Sequence, residues 1–168
     1  MLSTFIIENY ALVRLAMLIG VIGCLVVAAL LVRATQRGRR IAAIIAALAV
    51  IVVLALTLTP DTYPLAEATC NLQSNTPLND DFNILLFLLP ALFAVVASRK
   101  PVFVFIGGVA FSALIEFVQY ANPLFGRRCD VDDWLANSAG TAVGVVVAVV
   151  LVAVLEWWGK RRASSGSA

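Results

Sequence analysis

SALIEFVQYANPLFGRRCDVDDWLANSAG, residues 112–140, sets one glutamate, two arginines, three aspartates, a glutamine and two asparagines between two apolar runs. The chain around it has 168 residues, of which 62% are hydrophobic and only 13% charged. That leaves too little polar side-chain surface to solvate a globule, so the flanking runs belong in a membrane. Ionisable groups at bilayer depth are costly, and their concentration in this one stretch marks it as the functional region.

Outward from it, five runs approach the roughly 20 apolar residues that cross about 30 Å of hydrocarbon as helix. They cover residues 15–32, 41–59, 82–97, 102–120 and 134–158. The last is rich in valine, but at this length and without turn residues it reads as helix, which alone satisfies a single segment's backbone in lipid. The expected fold is an all-α integral membrane protein, a bundle of about five transmembrane helices forming one membrane domain over residues 1–168. The third span is short and carries Pro90, which predicts a kink or a thin point in the bundle.

The basic residues orient the bundle. Arg33, Arg37, Arg39 and Arg40 fall between spans one and two, Arg99 and Lys100 between three and four, and Lys160, Arg161 and Arg162 after five, so nine of the twelve cations lie on one side. By the positive-inside rule that side is cytoplasmic, which puts the amino terminus outside, the carboxyl terminus inside, residue 65 outside and residue 38 inside. Glu8, Asp61, Glu67, Asp80, Asp81, Asp130, Asp132 and Asp133 all fall on the opposite, outer face. A rival reading takes Val21-Ile22-Gly23-Cys24 as a lipoprotein-type cleavage box, but cleavage there would leave four arginines outside, against the same rule. Cys24 is then an ordinary buried thiol. Residues 1–10, with Phe5, Ile6, Ile7 and Tyr10, suit the outer interface, and the tail at residues 164–168 reads as disordered.

Cys70 and Cys129 both fall in outer loops, where an oxidising environment permits a disulfide joining the loop before span three to the loop after span four. Two unpaired thiols are the alternative. A cysteine metal site is disfavoured, because the chain has no histidine and no close cysteine pair.

Within the polar stretch, Ser112, Glu116 and Gln119 are spaced to share one face of the fourth helix. Counted from Val102, Glu116 lies about 21 Å along the axis, in the outer half of the membrane. Asp133, Asn137, Gly140 and Gly144 form a stripe on the fifth helix, polar at its outer end and small below, which suits close helix approach or self-association into a homo-oligomer. Asn83 opens the third helix at the same level. A structural reading stands beside the functional one: Asp132 or Asp133 caps the fifth helix, Arg127 and Arg128 pair with acids, and Gln119 and Asn137 hold helices together. Glu116 favours function, since a buried carboxylate needs a partner or must be carried neutral, and Arg127 or Arg128 is the expected partner.

The series Ser112, Glu116, Gln119, then Arg127, Asp130, Asp132, Asp133, Asn137 and Gly140, resembles the signature of the VanZ-like family of small bacterial membrane proteins. It fixes nine positions in 29 residues. Asn83, Phe87 and Pro90 are similar to that family's upstream asparagine-to-proline motif, although Pro90 falls one residue late and Ala91 and Leu92 stand where a glycine is often found. The resemblance covers about residues 79–148 and implies a bacterial plasma-membrane protein connected with low-level resistance to teicoplanin, a lipid-bearing glycopeptide, by a route that needs no altered wall precursor. It implies no defined reaction.

Two classes of function follow. In the first, Asn83, Ser112, Glu116, Gln119, Arg127, Asp130, Asp132, Asp133 and Asn137 form an outer-leaflet site for an amphiphile: a membrane lipid headgroup, a lipoglycopeptide or a lipid-linked cell-wall precursor. In the second, a membrane enzyme acts on a phosphorylated lipid, with Glu116 as catalytic acid or base, the arginines on phosphate, Ser112 as the available nucleophile, and Asp130, Asp132 and Asp133 on a divalent ion. The absence of histidine favours the first. Nothing in the chain calls for a cofactor, a resident metal or nucleic acid, and five spans without an internal repeat disfavour a transporter.

Overall fold

The computed structural model describes residues 9–60, 67–74 and 81–165. Glu8, Asp61, Asp80 and residue 65 fall outside these, as do the expected interfacial segment up to residue 8 and the last three residues. Among the described residues are five long helices: α1 (Tyr10–Arg33), α2 (Thr35–Leu58), α3 (Asp81–Ser98), α4 (Pro101–Ala121) and α5 (Val131–Ser165). Each is long and apolar enough to cross a membrane, as the expected five-span bundle requires.

The helices run past the apolar stretches that predicted them. Only Ala34 separates α1 from α2, so Arg33, Arg37, Arg39 and Arg40 are helical rather than in a loop. Ser164 and Ser165, expected in a disordered tail, close α5 instead. Hydropathy finds where lipid ends, whereas a helix ends where caps and turns stop it. Pro90 sits inside α3 without ending it.

Consecutive helices alternate in direction, giving the bundle an arginine-rich end and a loop-rich end. The arginines of the first end tie helices together. Arg39 Nε donates to the Ala97 carbonyl at the end of α3 (2.8 Å), and Arg99 pairs with Glu156 of α5 (2.9 Å). Arg161 lies over the Trp157 ring, 3.9 Å from its centroid. At the loop-rich end Arg14 of α1 pairs with Asp81 of α3 at 2.5 Å. Two short strands, β1 (Cys70–Asn71) and β2 (Cys129–Asp130), pair in parallel there.

Helices in lipid associate by close packing rather than by hydrophobic expulsion, and α3 and α5 pack closely along a glycine stripe. A Cβ at Gly140 would lie 2.1 Å from the Ile84 carbonyl oxygen, and one at Gly144 2.4 Å from that of Leu88. The glycine stripe is therefore occupied within the chain by α3. Below this contact, Ala28, Ala42, Ala46, Leu92, Phe93 and Ala148 fill the arginine-end half of the bundle. Val53, Phe87 and Ile115 pack at the middle, with the Phe87 and Phe111 rings 6.0 Å apart. That packing closes the interior on one side and leaves the loop-rich half to polar groups.

Two predictions follow. Gly140→Ala and Gly144→Ala should each lower stability by about 1–3 kcal/mol in detergent melts, the usual cost of overpacking. Gly107→Ala, whose Cβ would meet nothing within 4 Å, should be neutral or slightly stabilising; equal melting of all three would refute the close α3–α5 contact. For orientation, Gly38 is a poor labelling position because its Cβ would strike the Leu31 carbonyl. Exposed Gln36 and Leu124 replace it as reporters. In intact cells an impermeant maleimide should label Leu124→Cys, and Gln36→Cys only after permeabilisation; the opposite pattern contradicts the charge rule here.

Candidate functional site

The chain leaves α4 at Ala121 and turns through a short 3₁₀ helix, Pro123–Phe125. Gly126 closes the turn in the left-handed conformation (φ 66°), where glycine alone is unstrained, and its N–H donates to the Pro123 carbonyl at 3.0 Å. This reversal carries Arg127 back over the bundle, where its Nε donates to the Thr59 carbonyl of the α2 terminus (3.1 Å). Thr59 itself is tied down by its hydroxyl, which donates to the Ala55 carbonyl.

Asp130 then joins three pieces. Its Oδ1 accepts from the Asp132 N–H (2.9 Å) and so caps α5, the part expected of Asp132 or Asp133. Its Oδ2 accepts from Asn71 Nδ2 (3.1 Å). Its own N–H donates to Glu116 Oε2 at 2.8 Å. Alongside, Cys70 and Cys129 form the disulfide, in register between β1 and β2. One bridge thus fixes the strand whose backbone serves the carboxylate.

Glu116 is only 8% exposed. Its expected arginine partner is not there: neither Arg127 nor Arg128 forms an ion pair with it. Arg127 is held at Thr59 by the Gly126 turn, and Arg128 is exposed. The partner is a backbone N–H, which a buried carboxylate accepts as a charge-assisted bond without desolvating a second charge.

Three more bonds cross between helices at this level. Asn83 Nδ2 of α3 donates to Asp133 Oδ1 of α5 (2.7 Å). Asn137 Nδ2 of α5 donates to Ser112 Oγ of α4 (3.0 Å), and Gln119 Nε2 of α4 donates to the Thr57 carbonyl of α2 (3.0 Å). The same-face spacing of Ser112, Glu116 and Gln119 is realised, all three being buried.

These groups border a cavity of about 480 Å³. Asn83, Glu116, Gln119, Arg127, Asp133 and Asn137 line it, whereas Ser112 and Asp130 are bonded to lining residues from outside it, and Asp132 donates its N–H to Asp130. Apart from Thr57, the rest of the described lining is apolar. Met17, Gly20, Val21 and Cys24 of α1 form one wall, and Phe82, Leu85, Leu86 and Leu89 of α3 another. At exposed Gly20 the cavity reaches the surface of the bundle. A second cavity, also about 480 Å³, touches the other side of Glu116 and is lined by Leu72, Phe117, Tyr120, Trp134 and the disulfide.

Sequence reasoning missed the α1 wall and Thr57. Neither carried a signal in the sequence, since residues of an apolar run facing a cavity and facing lipid look alike there. The arrangement also bears on catalysis. Ser112 Oγ is bonded to Asn137 rather than to Glu116, so no nucleophile–base pair is set up. Asp130 has both carboxylate oxygens committed, and among the described residues no group of three His, Cys, Asp or Glu side chains is placed to hold a metal ion.

The fold and site define a multi-pass helical membrane protein with a mainly apolar cavity at one end that carries a small group of polar side chains. The sequence matches the VanZ/LLP1 family over residues 44–152, well over half its length, and the chain belongs to that family. That family is one connected with teicoplanin resistance. The matched region holds α3, α4, the loop and most of α5, but not α1, which supplies one apolar wall of the cavity. No curated protein and no solved structure matches the chain.

The disulfide yields a prediction. Closing a loop of 59 residues should contribute about 4 kcal/mol by the chain-entropy estimate. Unreduced protein should expose at most one thiol to alkylation, that of Cys24, and reduction should lower the melting temperature; three labelled thiols without reductant would contradict the bridge.

Proposed function

We propose that this protein binds an amphiphile at the outer leaflet of the bacterial plasma membrane, and that this binding lowers susceptibility to teicoplanin-type lipoglycopeptides. The observation that carries the reading is the cavity itself, with charged and amide groups at one end and an α1–α3 apolar wall running from them to the bundle surface. A polar head enters the loop-rich end while its chain lies along Met17, Gly20 and Val21 without leaving the hydrocarbon. Cavities of about 300–1,000 Å³ with few convergent polar groups suit such ligands. The antibiotic's own lipid and a lipid-linked wall precursor both have this build, so occupancy by either would interfere with their meeting.

The polar groups divide the work. Arg127 carries the one positive charge of the lining among the described residues and meets an anionic part of the head. Glu116, Gln119 and Asn137 meet its donors. Ser112, Asp130 and the disulfide hold these residues in place, which lowers the ordering cost of binding.

Glu116→Gln keeps side-chain volume and an acceptor for the Asp130 N–H, so folding should be preserved within about 1 kcal/mol. Expressed in a susceptible host, the variant should lose most of the wild-type rise in teicoplanin inhibitory concentration. Arg127→Gln should lose it too, whereas Arg128→Gln, at an exposed position outside the cavity, should lose little. A stable Glu116→Gln protein with an undiminished phenotype would reduce the cluster to a structural brace.

A further inference from the structure

The polar end of the cavity holds buried acceptors without partners among the described residues. Gln119, 5% exposed, donates through Nε2 to the Thr57 carbonyl. A carbonyl can only accept, so the amide orientation is fixed and Oε1 is the end left over. That oxygen is buried without a partner among the described residues, as is Oδ1 of Asn137, which is 1% exposed. Glu116 uses Oε2 on the Asp130 N–H, and its Oε1 accepts no hydrogen bond from the described residues. All three side chains line the same cavity. A buried acceptor left unmet is destabilising, so the site is built for a group that donates.

Charge narrows the choice. Among the described residues the lining carries two carboxylates, Glu116 and Asp133, against one guanidinium, Arg127. Arg127 has its Nε on the Thr59 carbonyl and its two terminal nitrogens without a partner among the described residues. The complement is a head that is positive and donor-rich at its tip and negative close by.

We propose that the cavity selects a phosphoethanolamine head, a primary ammonium two carbons from a phosphate, carried on a bilayer phospholipid. This deepens the amphiphile-binding reading and rests on it. The ammonium has three N–H donors for the three acceptors of Gln119, Asn137 and Glu116. The phosphate meets the terminal nitrogens of Arg127, and an acyl chain lies against Met17, Gly20 and Val21. A trimethylammonium head has the same charge and no donor. A glycerol head has hydroxyl donors and no positive charge.

The test is native mass spectrometry and thermal shift on the purified full chain in detergent, with dioleoyl lipids that differ only in head. The ethanolamine lipid should bind at least about ten-fold tighter than the choline lipid, as expected when charged hydrogen bonds are lost, and tighter than the glycerol lipid. Soluble glycerophosphoethanolamine at the same concentration should give no shift. Glu116→Gln, confirmed folded by its lipid-free melt, should bring the ethanolamine and choline affinities together. Equal ethanolamine and choline binding by the wild-type chain, or tightest binding of the glycerol lipid, overturns this proposal while leaving an amphiphile site standing. Protection by the soluble head alone overturns the phospholipid source. Failure of all the lipids to bind overturns this proposal and the amphiphile reading together.

Discussion

Glu116 Oε2 accepts the Asp130 N–H, and the loop-rich end of the bundle is arranged around that one bond. A carboxylate cannot be taken out of water alone, and here the partner comes from the backbone of a strand rather than from a second charge. The strand must then be fixed. Asp130 does this from one side by capping α5 and the disulfide does it from the other, so covalent, capping and charge-assisted bonds converge within two residues. The consequence is an arginine left over: Arg127, freed from neutralising Glu116, is available at the rim of the cavity.

The two ends of the molecule solve opposite problems. At the arginine-rich end small and branched side chains fill the bundle, and guanidinium groups bind the carbonyl and carboxylate of neighbouring helices. At the loop-rich end the glycines of α5 bring α3 close, while α1 meets α3 at the surface through the Arg14–Asp81 pair. The space between these unequal contacts is the cavity. It is a product of packing that is tight on one side of α3 and loose on the other.

Much of this was legible in the sequence. Five apolar runs in a chain with 13% charge leave few alternatives to a helical membrane bundle, and i, i+4, i+7 spacing is enough to put Ser112, Glu116 and Gln119 on one face. The stripe through Asn137, Gly140 and Gly144 likewise announced a close helix contact, though not that α3 would fill it. What stayed hidden was pairwise and three-dimensional. Residue type suggested an arginine for Glu116, but the choice between Arg127 and a backbone N–H depends on the Gly126 turn. The cap was expected of Asp132 or Asp133 and fell to Asp130, because α5 begins at Val131. The α1 wall carries no motif, because an apolar residue facing a cavity and one facing lipid look alike in sequence.

Occupancy of the cavity at Glu116 is tested most directly by a crystal structure of the full chain grown from a lipidic mesophase doped with phospholipid. It should show continuous density with a polar head within hydrogen-bond distance of Glu116, Gln119 and Asn137 and a chain passing Gly20. A cavity closed by Arg127 swung into an ion pair with Glu116, with no density along α1, would contradict it.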